Sequence, residues 1–418
     1  MIKNFITIHG QTTEVNLDKE SRDLSEHEIN DFFRKEGSKI LGFTGELTKY
    51  YLNENLNFLC GSGTSISIGG KTVNNMKDNP FALIIYELKS KKKPTKYIEN
   101  LIKFFESNEL LEEKFDRINQ EYLYYSNNIE DVNSADEIKE YLDKALKIFV
   151  ENYIPFPSEY VSEKLSIHEL FINKILSRKE TLNRPKIFTL NYDLAFENAC
   201  EKIDVSYNNG FRGVHVRKFN PDTFYNETYI KQDSAEKGKQ IANYLNIYKL
   251  HGSISWQRAD NINDLYNLKE VQISDTSEKE KFSSNNLIIF PIQTKKSYSL
   301  DLPYSELFRN FSKCLTESQN TLVVIGYSFS DDHINNIIKT GLYNPSLTLI
   351  VHQYDIIDTK SSLFLQKLKE RSLHDNRIII FEGSLLGDFC NIVKYLIPLN
   401  SSVPSKETII DTLKELIK

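Results

Sequence analysis

The sequence predicts an α/β protein built on a Rossmann-like parallel sheet with a large helical insertion. Short, continuous apolar runs alternate with segments of helical periodicity, as in parallel sheets that are covered by helices on both faces. Between about residues 78 and 180 the pattern is helical throughout, with apolar residues three and four positions apart. Four apolar runs end in glycine or polar residues, which indicates a ligand crevice.

The N-terminal segment, residues 1–37, is mixed in character and is expected to be an assembly contact. A strand is predicted over 5–8, and a helix over 25–36 with Ser25 as N-cap and Glu28 completing a capping box. Another helix is predicted over 40–52 and leads into the first strand of the sheet, 56–60.

The sheet domain is predicted over 38–77 and 181–400, the helical insertion over 78–180 and a C-terminal helix over 401–418. Within the insertion the helical segments are 81–88, 97–105, 110–125, 135–150 and 167–176, and the basic run 89–96 is interpreted as a solvated loop. The later strands are 186–190, 246–250, 287–290, 321–325, 347–351 and 377–381. The later helices are 194–202, 307–315, 331–338, 385–396 and 406–417. Residues 205–245 are interpreted as loops over a cleft, and 257–286 as a surface excursion.

Composition bounds the function classes. The net charge is −6 and the pI about 5.9, so the surface as a whole does not suit a polyanion, and direct nucleic-acid binding is not expected. No apolar run approaches the ~18 residues of a membrane span, and no leader pattern opens the chain. We expect a cytoplasmic protein without membrane contact. The cysteines are far apart and are expected to be buried free thiols: Cys60, Cys200, Cys314 and Cys390.

The first of the four strand ends is glycine-rich. After the strand 56–60 come Gly61, Ser62, Gly63, Thr64 and Ser65. Glycines at such a place let peptide N–H groups approach a pyrophosphate directly, because no Cβ intervenes. An ordinary strand-to-loop turn is the alternative.

The other three strand ends carry polar groups that suit chemistry. In an open parallel sheet they would meet the glycine-rich turn at one crevice. They are Asn191-Tyr192-Asp193, His251-Gly252 and Gly326-Tyr327-Ser328. Each has a structural alternative: Asp193 as a helix cap, His251 as a turn residue, and residues 326–328 as a plain strand-to-helix turn.

Taken in order, these motifs resemble those of the sirtuin superfamily over roughly residues 38–395. The first turn is similar to its glycine-alanine-glycine-x-serine loop, with Ser62 in place of alanine. Residues 189–193 are similar to its threonine-glutamine-asparagine-isoleucine-aspartate motif. His251 and Gly252 are similar to its catalytic histidine-glycine pair, and residues 326–328 to its glycine-threonine-serine turn.

Two departures from that family indicate a particular branch. Residues 257–286 contain no cysteine, so the zinc module of deacetylating sirtuins is not expected there. The proline-x-phenylalanine-arginine segment is replaced over 66–75. In both departures the chain resembles bacterial sirtuin-like anti-phage effectors, which hydrolyse NAD. That resemblance implies NAD as substrate, no metal, a homo-oligomer, and a HerA-type hexameric ATPase as partner.

The residue types fit cleavage of the bond between nicotinamide and ribose. Nicotinamide leaves as a neutral molecule through an oxocarbenium-like transition state, so the site needs a held pyrophosphate and a positioned water. We expect catalytic roles for Asn191, for His251 as a proton acceptor and for Asp193, which is equally a helix-cap candidate. The cofactor-binding candidates are Gly61, Ser62, Gly63, Thr64, Ser65, Tyr192, Gly326, Tyr327 and Ser328.

The sequence therefore favours an oligomeric NAD+ glycohydrolase that depletes NAD in phage defence. An NAD-dependent protein deacylase or ADP-ribosyltransferase is one alternative, and a non-catalytic sensor of NAD or ADP-ribose is another. The helical insertion is expected, with the N-terminal segment, to serve assembly.

Overall fold

The computed structural model of the protein describes fifteen stretches of the chain. They are residues 2–17, 24–36, 45–71, 81–90, 96–107, 111–126, 132–160, 162–179, 181–226, 229–230, 239–240, 243–259, 265–273, 286–288 and 302–398. The helix predicted over 406–417, and the C-terminal segment 401–418 that contains it, lie outside the described residues, as do parts of the predicted elements at 40–52, 89–96 and 287–290.

The strands, numbered in chain order, are β1 Phe5–Ile8, β2 Gln11–Glu14, β3 Asn55–Cys60, β4 Lys186–Thr189, β5 Ser206–Asn208, β6 Phe211–Arg212, β7 Arg217–Phe219, β8 Tyr229–Ile230, β9 Lys239–Gln240, β10 Tyr244–Lys249, β11 Gly252–Arg258, β12 Leu268–Glu270, β13 Asn286–Ile288, β14 Asn320–Ile325, β15 Leu347–Gln353 and β16 Ile378–Glu382. The helices are α1 Glu26–Lys35, α2 at residues 45–51, α3 Ala82–Ser90, α4 Lys96–Glu106, α5 Leu111–Ser126, α6 Val132–Tyr153, α7 Ser162–Leu176, α8 Ala195–Lys202, α9 Tyr304–Cys314, α10 Asp332–Gly341, α11 Leu363–Ser372, α12 Ser384–Gly387 and α13 Phe389–Asn391.

The main sheet confirms the predicted α/β class. Its order is β2-β1-β16-β15-β14-β3-β4-β10-β5, and all neighbours from β16 to β5 are parallel. The six strands β10-β4-β3-β14-β15-β16 follow the 3-2-1-4-5-6 order of dinucleotide-binding folds. The strand order reverses between β3 and β14, so a crevice forms beside their carboxyl ends.

The start of α1 confirms a local prediction in detail. The Ser25 side chain accepts from the Glu28 amide, and the Glu28 carboxylate accepts in return from the Ser25 amide at 2.9 Å. Such reciprocal capping depends only on residues three positions apart, which is why the sequence alone reveals it.

A second, antiparallel sheet replaces the loops that were expected over 205–245 and within 257–286. Its order is β13-β11-β12-β7-β6. Three of its strands, β6, β7 and β12, have only two or three residues and carry charged residues, so no apolar run marks them, whereas β13 overlaps the strand predicted over 287–290. Their stability comes from side chains far apart in sequence, notably Trp256, Phe211, Phe219 and Leu268, which share one buried cluster.

The C-terminal part of the described chain differs from the single helix expected over 385–396. It is broken into α12, α13 and a π-helical turn, Ile392–Leu396. Gly387 lies against the backbone of Gln353, where a side chain would not fit. Asp388 then starts a new turn by accepting from the Asn391 amide at 3.0 Å. Helix α11, whose N-cap is Ser362, was not predicted from the sequence.

The insertion helices pack on the sheet domain through a shared core. Side chains of α3 to α6 form one buried apolar cluster with Leu194 and Ile254, which flank the predicted polar strand ends.

Within the described residues, no helix combines the length and apolar character that crossing a bilayer requires.

Candidate active site

The predicted site residues meet around one cavity at the carboxyl ends of β3, β4, β10 and β14. This crevice has a volume of about 880 Å³, its open mouth included. The predicted residues that line it are Gly61, Ser62, Ser65, Asn191, Tyr192, Asp193, His251, Gly326, Tyr327 and Ser328. Gly63 and Thr64 lie behind this wall, with the Thr64 side chain fully buried.

The glycines bring two strand-end turns into backbone contact. We call residues 61–65 the glycine turn and residues 326–328 the tyrosine turn. A Cβ on Gly61 would stand 2.5 Å from the Gly326 oxygen, and one on Gly63 would stand 2.6 Å from the Gly326 Cα. Gly326 itself has a φ of +66°, and its own Cβ would stand 2.7 Å from the Gly63 Cα. The glycines therefore allow the two turns to pack backbone against backbone at the switch point, where the strand order of the sheet reverses.

That contact corrects the expected use of the glycine amides. The Gly61 amide donates to the Ile325 oxygen at 2.9 Å, and the Gly63 amide donates to the Gly326 oxygen at 3.0 Å. The Thr64 amide donates to the Gly61 oxygen at 3.0 Å. These three N–H groups hold the turn together and do not face an anion.

Asn191 ties the glycine turn to the end of β4. Its amide nitrogen lies 3.0 Å from the Gly61 oxygen, 2.9 Å from Thr64 Oγ1 and 2.7 Å from Ser65 Oγ. Because a backbone oxygen can only accept, the nitrogen must face the turn. The amide oxygen of Asn191 is thus directed away from the turn.

Asp193 is engaged through both carboxylate oxygens. Oδ1 accepts from the Ala195 amide at 3.0 Å, at the start of α8, and Oδ2 accepts from the Ser65 hydroxyl at 2.5 Å. The residue is only 4% exposed. Asp193 precedes Leu194, which occupies the N-cap position of α8, and its carboxylate satisfies an N–H at the helix start that would otherwise be unpaired.

A buried ion pair, which sequence reasoning missed, supports the polar turn formed by residues 191–193. The Lys249 ammonium donates to the backbone oxygen of Asn191 at 3.3 Å and to the backbone oxygen of Asp193. It also lies 3.3 Å from Glu197 Oε1. Both side chains are almost fully buried, and burial raises the pKa of Glu197 to about 7. Lys249 ends β10 and Glu197 belongs to α8, so neither occupies a recognisable motif.

His251 pairs with a second residue that the sequence analysis did not single out as a site residue. Its Nε2 lies 3.3 Å from Asp331 Oδ2, with both side chains nearly buried. The other oxygen of Asp331 caps α10 by accepting from the His333 amide at 2.9 Å. The sequence signal was only an acidic residue before a helix, which ordinarily means a cap.

The tyrosine turn fixes the position of Asp331. The Tyr327 hydroxyl donates to the Asp331 backbone oxygen at 3.0 Å and accepts from the Asp331 amide at 3.2 Å. Phe329, between them in sequence, adopts a φ of +57° and is buried. A bulky residue in this left-handed conformation costs free energy and persists because the surrounding contacts enforce it.

The helical insertion supplies one wall of the crevice. Phe149 and Tyr153, from the end of α6, line it together with Ile154 and Pro155. The Lys71 ammonium lies 5.5 Å above the Tyr153 ring and is the cation among the lining residues. Residues 149–155 read in the sequence as helix core and a break, so their contact with the crevice was not predicted.

A buried histidine of α7, His168, lies close to Asp193. His168 packs against the rings of Phe196 and Phe389, with centroids 5.2 and 5.0 Å away. Burial lowers its pKa to about 4, so the ring is neutral at pH 7.

Among the described residues, no group of three His, Cys, Asp or Glu side chains is arranged to hold a metal ion.

Comparison with known proteins relates one segment of the chain to a described family. Residues 185–378 match the family model described as "SIR2-like domain", a segment that contains Asn191, His251 and Asp331. A solved serine-to-alanine mutant of a Sir2 homologue, in complex with ADP-ribose, is 11% identical, with a TM-score of 0.36, and the match covers 88% of this chain and 97% of that chain. No curated protein matches the sequence. The family match supports a sirtuin-like character for the segment that carries the polar turn, the His251–Asp331 pair and the tyrosine turn.

Proposed function

We propose that the protein is an NAD+ glycohydrolase that releases nicotinamide and ADP-ribose at the crevice. The observation that carries this proposal is the meeting of the His251–Asp331 pair with Asn191 and the two turns at the switch point of a 3-2-1-4-5-6 sheet. Dinucleotides bind at that point of such sheets, and the SIR2-like match adds independent support.

The rim of the crevice offers polar partners for this substrate. Since the Gly61, Gly63 and Thr64 amides are engaged within the protein, a pyrophosphate needs other partners. We assign that role to Ser62 and Lys71, which line the crevice as a hydroxyl donor and a cation.

In the proposed reaction the bond between the nicotinamide nitrogen and ribose C1′ breaks, and its electron pair neutralises the pyridinium. A water oxygen bonds to C1′, and His251 takes the proton that this water loses. The Asp331 carboxylate, 3.3 Å from His251 Nε2, stabilises the imidazolium that forms. The Asn191 amide oxygen, directed away from the glycine turn, positions the water or a ribose hydroxyl.

Asp193 is assigned a positioning role in this scheme. Its two oxygens hold Ser65 and the start of α8, so it acts by fixing the polar turn. Tyr192 and the tyrosine turn complete the walls, with Gly326 and Ser328 assigned to the adenosine end of the substrate.

The proposed biological setting is phage defence by NAD depletion. A free NADase would damage its own cell, so we propose a homo-oligomer whose activity is controlled by a HerA-type ring ATPase. The insertion would serve this control, because its helix α6 both packs on the sheet domain and forms the wall at Phe149 and Tyr153.

The test is nicotinamide release from NAD by the purified protein, alone and with the candidate ATPase and DNA, without any peptide acceptor. His251→Ala should lower turnover by about 10²–10⁴-fold, the usual contribution of a general base. Asp331→Asn keeps a good helix cap and removes the charge, so it should lower turnover with little loss of stability. His374→Ala, at an exposed histidine, is the matched control.

Three results would count against the proposal. Tight NAD binding without product under every condition would favour a sensor. Release that requires an acyl-lysine peptide would favour a deacylase, and appearance of ADP-ribose on protein would favour a transferase.

A further inference from the structure

A single tyrosine hydroxyl connects two walls of the crevice. Tyr160 belongs to the helical insertion, after α6, and its hydroxyl donates to the backbone oxygen of Pro155 at 3.3 Å. The same hydroxyl accepts from the backbone amide of Leu194 at 2.9 Å. Pro155 lines the crevice on the insertion side, and Leu194 directly follows the polar turn. We call these two hydrogen bonds the Tyr160 bridge.

On the insertion side of the bridge, a tight turn holds Tyr160 in place. The Phe156 amide donates to the Glu159 carboxylate at 2.7 Å, and the Glu159 amide donates to the Phe156 oxygen at 2.8 Å. The Tyr160 amide donates to the Pro157 oxygen at 3.1 Å. The Phe156 side chain is fully buried in the apolar cluster of the insertion. Tyr160 therefore moves with the insertion.

On the other side of the bridge lies the start of α8. The first N–H groups of a helix have no partner within the helix. Asp193 accepts from the Ala195 amide and Tyr160 accepts from the Leu194 amide, so these two residues share the capping of α8. Because Leu194 is only 8% exposed, loss of the Tyr160 hydroxyl would leave its amide poorly satisfied.

A second contact joins the insertion to the polar turn. The Phe149 ring meets the Tyr192 ring nearly edge to face, with centroids 6.2 Å apart. The insertion thus contacts the chain on both sides of Asp193, at Tyr192 and at Leu194. Asn191 directly precedes Tyr192, so a displacement of the insertion would move the amide that is proposed to hold the water or a ribose hydroxyl.

The Tyr160 hydroxyl keeps its proton at neutral pH. Burial, together with the nearby carboxylates of Asp193 and Glu197, raises the pKa of Tyr160 far above the usual value of a tyrosine. The proton serves the bond to the Pro155 oxygen, and a lone pair of the hydroxyl accepts from the Leu194 amide. Both bonds of the bridge therefore persist at neutral pH.

We propose that Tyr160 is a positioning residue for the reaction in the crevice: it sets the polar turn, and with it Asn191, relative to the insertion wall. This inference rests on the function proposed above and deepens it. Tyr160 makes no contact with the substrate in this scheme and acts through two backbone hydrogen bonds. A partner that moves the insertion would change turnover by this route.

The kinetic test is Tyr160→Phe, which removes the hydroxyl and keeps the ring. In nicotinamide release from NAD, we expect kcat to fall by about tenfold, because misplacing a catalytic group is costly, and KM to stay within about twofold. Tyr207→Phe is the matched control, since its hydroxyl also forms a hydrogen bond, at 3.0 Å to Glu201 near the carboxyl end of α8. A higher KM with unchanged kcat, or equal losses in the two variants, would overturn the proposal.

A double-mutant cycle shows whether Tyr160 acts through Asn191. In an Asn191→Ala background, adding Tyr160→Phe should change kcat by less than about twofold, because the group that it positions is already absent. A further loss of about tenfold in that background would mean that the two residues act independently, and would overturn the assignment.

Amide hydrogen exchange tests the bridge without catalysis. In Tyr160→Phe, peptides that cover residues 192–195 should exchange faster than in the wild type, whereas those of α10 should not change. Unchanged exchange at 192–195, or a uniform increase over the chain, would overturn the inference even if NAD is hydrolysed. Faster exchange at 192–195 in a protein that releases no nicotinamide under any condition would support the bridge and count against the proposed hydrolase.

Discussion

The two halves of the crevice are held by different kinds of contact. Where β3 meets β14, the glycine and tyrosine turns touch through backbone atoms, and there is no room for a Cβ at Gly61, Gly63 or Gly326. Where β4 meets β10, the polar turn is held by side chains, through Lys249 and Glu197 below it and Asn191 and Asp193 within it.

This difference determines how each half fails. The half where β3 meets β14 is close-packed backbone, so substitutions that add atoms should destabilise it most. The half where β4 meets β10, called the polar half, balances buried charges. It should be destabilised most by substitutions that remove one charged partner and leave the other unpaired. Four predictions, in decreasing order of expected effect, concern these two halves and the buried histidines and rim lysine outside them.

Lys249→Met should be the most destabilising change, at roughly 3–5 kcal/mol of unfolding free energy. It leaves Glu197 buried without its counter-charge and removes the donor to the backbone oxygens of Asn191 and Asp193. Urea unfolding measures the effect. The control is Lys202→Met, whose surface pair with Glu169 should contribute at most about 1 kcal/mol.

The paired variant Lys249→Met, Glu197→Leu decides the interpretation. If charge balance is what holds the polar half, this variant should be more stable than Lys249→Met alone. A double variant as unstable as the single one would instead assign the loss to packing.

Gly326→Ala should cost roughly 2–4 kcal/mol, because its Cβ would stand 2.8 Å from the Thr64 nitrogen and the φ of +66° adds strain. Gly69→Ala is a matched control: it has a φ of +100° but nothing within 4 Å of the added atom. Thermal unfolding should show only about 1 kcal/mol for Gly69→Ala. Equal losses would show that strain, and not contact between the turns, is the limiting factor.

Acid should destabilise the protein through His168 and His352. Burial lowers both pKa values to about 4 in the folded protein, so the unfolded chain binds more protons between pH 6.5 and 4, and stability falls as the pH drops through this window. Each histidine contributes a loss of about 2 kcal/mol between pH 7 and 5. Glu197, with its pKa raised to about 7, acts in the opposite direction and offsets roughly 2 kcal/mol of the total.

His168→Phe separates this contribution. It should be close to neutral at pH 7, since the ring already packs between Phe196 and Phe389, and it should recover about 2 kcal/mol at pH 5. Chemical unfolding at the two pH values checks this, with the exposed His27→Phe as control. A pH dependence unchanged from the wild type would contradict the assignment.

Lys71→Met should have the smallest effect on stability, because Lys71 is exposed at the rim. If it contacts the pyrophosphate, KM for NAD should rise by about threefold to tenfold with kcat nearly unchanged, as for loss of uniform binding. Lys339→Met, at an exposed lysine of α10, is the control for net charge. A fall in kcat with constant KM would place Lys71 in the chemical step.

Local patterns account for most of what was predicted correctly. The capping box of α1 and the strands that became β3, β10 and β14 depend on neighbouring residues and on unbroken apolar runs. Most of the second sheet was missed because its short strands with charged residues are stabilised by distant partners such as Trp256 and Leu268. Periodicity cannot report those partners.

The sequence alone determined the α/β class and the strand ends that carry Gly61, Asn191, His251 and Gly326, since parallel strands place their carboxyl ends at one edge of a sheet. Only the tertiary structure decided that the glycines serve contact between two turns, that Asp331 pairs with His251, and that Lys249 and Glu197 support the polar turn. Those assignments depend on distances between residues tens to hundreds of positions apart. A charge pair or a close backbone approach leaves no local pattern in the chain, so folding had to bring the partners together before either could be seen.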